Sequence, residues 1–276
     1  MQTMERPTVA PVHRPTREPK ARAPWPIEFY RSAIGKKWVM ALTGILLMGF
    51  VFAHMVGNLK AFMGADDLNH YGEWLRMLFA PPLPRTWFLW MMRIGLIATF
   101  ALHIHAAVSL TLMNRRAQAP DRLVQPRDWQ AANAASRSMR LTGVVILLLL
   151  IFHLTDLSWG QTNPDFVRGD VYRNLVASLE RPVVAVTYIL FVLALGVHLL
   201  HGSWSLFQSL GVNNPRWNSW RRGFAIGFAA VVTAGYLVVP IAVLTGAISA
   251  DDNPDCTVQD GHIETCENYA TTQVGS

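Results

Sequence analysis

The sequence predicts an all-α membrane protein with five transmembrane helices, four of which form a bundle around polar side chains. Three observations point there. Hydrophobic residues make up 51% of the chain and charged residues only 15%, whereas a soluble domain carries about 25% charge. The apolar residues gather in five runs, each long enough to cross a roughly 30 Å hydrocarbon core as a helix. Four successive runs each hold a histidine well inside, and an ionisable group in lipid is costly enough to need a reason.

In chain order the runs are Trp38–Leu59, Trp87–Met113, Leu141–Trp159, Pro182–Leu210 and Gly223–Ala250. Backbone groups in lipid must bond within their own segment, so these are helices rather than open strands. Residues 1–30 are rich in Pro and Arg and have no apolar core. They are expected to form a disordered basic tail, and no cleavable signal peptide is visible. Residues 31–250 form the expected transmembrane domain, and residues 251–276 an acidic tail.

Orientation follows from Lys and Arg placement. The N-terminal segment, the second-to-third loop and the fourth-to-fifth loop are basic, the last through Arg216, Arg221 and Arg222 without an acid. These three regions should face the cytoplasm. The other two loops balance their charges, and the C-terminal tail has no Lys or Arg. Five crossings then put the N-terminus inside and the C-terminus outside. The net charge of +6 is therefore a topology signal, without a nucleic-acid motif to go with it. Cys256 and Cys266 fall in the outer tail, where an oxidising compartment favours a disulfide.

Depth sorts the histidines. His54 lies 17 residues beyond Lys37 and His153 13 beyond Arg140, so both sit roughly 20–25 Å from the inner side. His105 lies 18 residues beyond Trp87 and His198 17 beyond Arg181, roughly 25 Å from the outer side. Helices one and three supply an outer pair, and helices two and four an inner pair. Two layers of two histidines are what two stacked haems, each gripped by two imidazoles, require. No CxxCH is present, so such haems would be held by ligation and packing alone. Two choices stay open on spacing. His103 and His105 point about 200° apart, so only one faces the axis. His198 and His201 share a face, so one can ligate while the other bonds a propionate or a quinone.

The order of motifs resembles the cytochrome b subunit of succinate:quinone oxidoreductases, the single-chain, five-helix, di-haem b558 type of membrane anchor that includes fumarate reductase anchors. The markers are RSAIGKKWVMALTG, FAHMVGNL around His54, HAAVSL after His105, FHLTDL around His153, and HLLHGSWSLFQSLG from His198. The resemblance covers roughly residues 30–245. Its pattern of a histidine four residues before a small residue selects His105, before Ser109, and His198, before Gly202. It implies that His54 and His153 ligate an outer haem b, and His105 and His198 an inner one. Gly44, Ala106, Ala107, Gly143 and Gly202 would let a flat macrocycle approach the helices, or serve ordinary small-residue packing.

The resemblance further implies partners: a flavoprotein carrying FAD and an iron–sulfur subunit with its clusters, docked on the cytoplasmic face of a bacterial inner membrane. The chain itself has neither a dinucleotide loop nor a cluster-binding Cys run. Electrons would pass through the haems to a membrane quinone, with menaquinone expected, and lipid surrounds the bundle. A higher oligomer is compatible with this. Arg93, about 9 Å into the second helix, is a candidate partner for an outer propionate or for Asp156, or snorkels to headgroups. Quinone candidates are Tyr71, Glu73 and Trp74 outside, with Glu73 as a proton donor, and Ser32, Lys37, Trp204 and Gln208 inside. The rival readings are a di-haem b anchor of another respiratory dehydrogenase and a haem-free multi-pass transporter.

Overall fold

A computed structural model of the chain describes residues 24–117, 130–212, 214–249, 256–259 and 262–266. Five helical segments are long and apolar enough to cross a membrane: Ala33–Met63, Trp87–Arg116, Arg137–Ser158, Pro182–Ser209 and Pro215–Leu244. Each overlaps one of the expected runs, with ends that differ: all five begin at or before the expected start, and the last three stop short of the expected end. The chain is a multi-pass membrane protein.

The helices are α1 (Trp25–Arg31), α2 (Ala33–Asn58), α3 (Ala65–Met77), α4 (Trp87–Ala117), α5 (Gln130–His153), α6 (Val171–Leu179), α7 (Pro182–Ser209) and α8 (Asn218–Leu244). Where α2 and α5 begin and α4 ends, Arg and Lys crowd together; this is the basic end of the bundle. The opposite end is covered by the short helices α3 and α6, and is called the capped end here.

Three short helices correct the sequence reading. α1 occupies the last residues of the expected tail. Pro26 at its first turn is preorganised for helix, and Gly35 lets the chain fold back so closely that any Cβ there would overlap the Phe29 carbonyl. Residues 1–23 lie outside the described residues. α3 and α6 occupy connections expected to be plain loops. Asp66 and Asp67 complement the dipole at the start of α3, and the Asp170 carboxylate caps α6 by accepting from Arg173 N at 2.9 Å. Asn69 ties the two together: its amide donates to Asp170 at 2.9 Å and its oxygen accepts from Val171 N and Tyr172 N at 2.8 and 3.0 Å. In the acidic tail, β1 (Cys256–Gln259) and β2 (His262–Cys266) form an antiparallel hairpin. Its register sets Cys256 opposite Cys266, a backbone separation that a disulfide can bridge.

The spans pack as two hairpins and a fifth helix. α2 lies against α4, and α5 against α7; α8 fills the groove along α7 and α2. α2 also touches α7, so α2 and α7 form the middle of the bundle and α4 and α5 its flanks. Tyr172, Val176, Ala185, Val239 and Val243 form a core under the capped end. Met55, Leu199, Ala229 and Val232 form another among α2, α7 and α8. Side chains such as Ile94, Ile97, Leu148, Val183 and Leu190 remain more than half exposed. On a spanning helix that surface meets lipid tails as apolar as itself, so it is no liability.

Without hydrophobic drive between helices, close packing must hold α7 on α8. Gly196 is the contact point: a Cβ there would collide with the Thr233 hydroxyl and come within 3.4 Å of its Cβ. A Cβ at Gly227 would meet nothing within 4 Å. Gly196→Leu should therefore lower stability by about 1–3 kcal/mol, the usual cost of overpacking. The thermal midpoint of the detergent-solubilised protein should fall for Gly196→Leu and hold for Gly227→Leu.

Candidate cofactor-binding site

Four histidines converge from the two hairpins, in two layers. In the layer near the capped end, His54 on the last turns of α2 meets His153, the last residue of α5. Their ring centroids are 5.8 Å apart and their planes 80° from parallel. Aromatic side chains wall this pair. Phe50 stacks on His54 at 5.4 Å, Tyr236 of α8 lies 6.3 Å from His54, and Tyr188 of α7 lies 6.3 Å from His153. Tyr236 is held in place by donating to the Val51 carbonyl at 2.8 Å.

In the layer nearer the basic end stand His103 of α4 and His198 of α7, both half-buried. Each is gripped by a threonine of its own hairpin. Thr43 Oγ1 lies 3.1 Å from His103 Nδ1, and Thr142 Oγ1 lies 3.1 Å from His198 Nδ1. A Cβ added at Gly44 or at Gly143 would lie 3.7 Å from the Cε1 of His103 or His198 respectively. The two halves match part for part.

His105 is not the axis-facing residue of α4. It is exposed, and its Nδ1 lies 2.5 Å from the Tyr30 hydroxyl of α1. The reason is the 200° between residues two apart on a helix: once Thr43 and Gly44 receive His103, His105 must face outward. His201 is half-buried next to His198.

One sequence signal for this arrangement was missed. Leu-Thr-Gly occurs at 42–44 and again at 141–143, and in both copies a histidine follows the threonine by 11 residues. That interval is about three helical turns, so threonine and histidine share a face. The repeat marks α2 and α5 as equivalent helices, and α4 and α7 as their equivalent partners.

The spacing of His54 and His153 fits a group held between two imidazoles, such as a haem. Two imidazoles bound to one first-row metal put their ligating nitrogens about 4 Å apart and their ring centres on the order of 6 Å apart, taking a metal–nitrogen bond of roughly 2 Å. The separation of His54 and His153 meets that requirement. Among the described residues the two hairpins pack on each other mainly through α2 and α7, and α4 and α5 share no extensive packing.

The other expected residues are placed as follows. Asp156 is fully buried in a π-helical turn, Leu154–Ser158, just after His153. Its partner is Arg181, at 2.6 Å, rather than Arg93. Thr162 and Tyr188 also donate to it at 3.2 Å, and Ser178 donates as well. Arg93 is exposed and lies over Trp90, 5.1 Å from the ring centre, as a snorkelling arginine does. Glu73 is paired with Arg76 at 3.1 Å and Arg85 at 2.6 Å, so it braces the capped end rather than standing free as a proton donor. Tyr71 and Trp74 stack at 5.9 Å. Ser32 caps α2, accepting from Gly35 N at 2.9 Å. Lys37 is exposed, while Lys36 is buried, donating to the Tyr30 carbonyl at 2.8 Å. Trp204 is covered by the Arg221 guanidinium at 4.6 Å, and Gln208 is exposed.

The bundle is a multi-pass membrane assembly that brings histidines of four different spans toward its interior. Residues 112–238, a little under half of the chain, match the family model of the succinate dehydrogenase/fumarate reductase transmembrane subunit. The match supports a likeness to a membrane subunit of that complex over this stretch. No curated protein and no solved structure matches the chain.

The Asp156 cluster generates a stability prediction. Removing the guanidinium leaves a buried carboxylate with hydroxyl donors only, at a cost on the order of 3 kcal/mol. Partial exposure of Arg181 trims that figure. Arg181→Ala should lower the thermal midpoint clearly more than Arg85→Ala, whose exposed pair is worth under about 1 kcal/mol. Adding Asp156→Asn to Arg181→Ala should recover part of the loss.

Proposed function

We propose that this chain is the electron-carrying cytochrome b anchor of a succinate:quinone oxidoreductase, holding two b haems between its hairpins. The capped-end haem would use His54 and His153, and the other His103 and His198. The observation that carries this reading is that each pair is drawn from different hairpins at matching positions. The family match includes His153 and His198 but not His54 or His103. The repeated Leu-Thr-Gly and its following histidine extend the same reading to the first hairpin.

Bound haem supplies a one-electron carrier in each layer. The chain's own residues hold it by ligation, exclude water with the aromatic walls around His54 and His153, and set its potential by burial and second-shell bonds. The basic end is proposed to face the cytoplasm of a bacterial cell, a reading supported by its excess of Lys and Arg. There it would dock an iron–sulfur subunit, fed in turn by a FAD-carrying flavoprotein. The electrons would leave to a quinone, for which menaquinone is the proposed type. Tyr71 and Trp74 are the proposed contacts at the capped end, and Lys37 and Gln208 at the basic end.

A pyridine haemochrome assay should find about two haems per chain, one for each two ligands. His54→Ala and His153→Ala should lose the same spectral component, and His103→Ala and His198→Ala the other. His105→Ala should keep both. A value near zero in the unaltered protein ends the haem reading, and loss of a component in His105→Ala but not in His103→Ala reverses the assignment on α4.

Orientation has its own test. A membrane-impermeant thiol reagent, applied after mild reduction to cells with a permeabilised outer barrier, should label Cys256 and Cys266. Labelling seen only after lysis would reverse the topology.

A further inference from the structure

We infer that Thr43 and Thr142 are the positioning residues of the His103–His198 pair, fixing both rings in the Nδ1–H tautomer and tuning the haem they hold. The inference rests on the di-haem reading above. The argument begins from proton count. A threonine hydroxyl has one hydrogen to give. Thr43 Oγ1 directs it at the Val39 carbonyl, 2.6 Å away, and Thr142 Oγ1 at the Ser138 carbonyl, 2.7 Å away. Toward the imidazole each oxygen therefore accepts, so the Nδ1 it faces carries the proton.

The consequence is a free lone pair on each Nε2, directed away from the threonine. Second-shell acceptors of this kind fix ring orientation and raise the basicity of the ligating nitrogen. A more basic nitrogen favours the ferric over the ferrous state. Both threonines are buried, so water cannot replace the bond they provide. The glycine that follows each lies against the ring, where an added Cβ would stand 3.7 Å from Cε1 in ordinary van der Waals contact. Among the described residues His54 and His153 have no hydroxyl bonded to their rings, being bounded by Phe50, Tyr236 and Tyr188 instead. The device belongs to one layer.

The test is redox titration and low-temperature EPR on the full chain purified with its accompanying subunits. Thr43→Val and Thr142→Val keep side-chain shape and remove the acceptor. Each should raise the midpoint potential of one and the same haem component, by up to tenfold in its ferric–ferrous equilibrium, about 59 mV for one electron. The low-spin g-values of that component should shift, and the other component should hold. Thr43→Ser and Thr142→Ser should restore both readings. If valine costs the fold at either position, Thr43→Ala and Thr142→Ala read the same bond. Val or Ala variants that retain two haems with unmoved potentials overturn the inference and leave the di-haem reading intact. So do variants that shift different components. An unaltered protein without haem overturns both.

Discussion

The structure depends on placing four imidazoles inside a lipid-facing bundle. Lipid offers no solvent to satisfy a stray donor, so an imidazole there needs a partner within the protein or a group it can ligate. The two layers meet that demand differently. His103 and His198 are satisfied on one side by Thr43 and Thr142. His54 and His153 face each other inside an apolar and aromatic shell.

The two layers are built by different means, and the difference follows from position. The layer nearer the basic end lies mid-bundle, where only neighbouring helices can supply partners, and the threonines of α2 and α5 do so. The other layer lies under the capped end, where chain emerges from the helices. Here the π-helical turn after His153 turns Asp156 inward, and Arg181 at the start of α7 neutralises it. α3 and α6 close this end through Asn69 and Asp170. The helical caps do for the end of the bundle what lipid does for its sides: they keep water from the buried groups.

Pairing across hairpins also explains why small residues and hydroxyls recur at equivalent positions. Each threonine acts within its hairpin, and each histidine pair bridges between hairpins. α2 and α7 touch in the middle of the bundle. α8 has no histidine; it supplies Tyr236 to the wall beside His54 and packs through Thr233 on Gly196.

The sequence by itself determined the five spans, because a bilayer sets the length and polarity of whatever crosses it. It also determined the existence of two layers, because helical rise converts residue number into depth. Depth alone singled out His54 and His153 in their spans, whereas His198 and His201 share a face and depth left both open. The choice between His103 and His105 was open too, since both lie at nearly the same depth and differ in azimuth. Azimuth is set by which face of α4 packs on α2, and the positions of Thr43 and Gly44 decide it. The short helices α1, α3 and α6 were hidden for a related reason: each is too brief to show its period and is stabilised by tertiary partners such as Asn69. The partner of Asp156 was hidden too, because Arg181 follows it by 25 residues and only the fold of the capped end brings them together. Sequence set how deep each group lies; tertiary structure decided which way it faces and what it meets there.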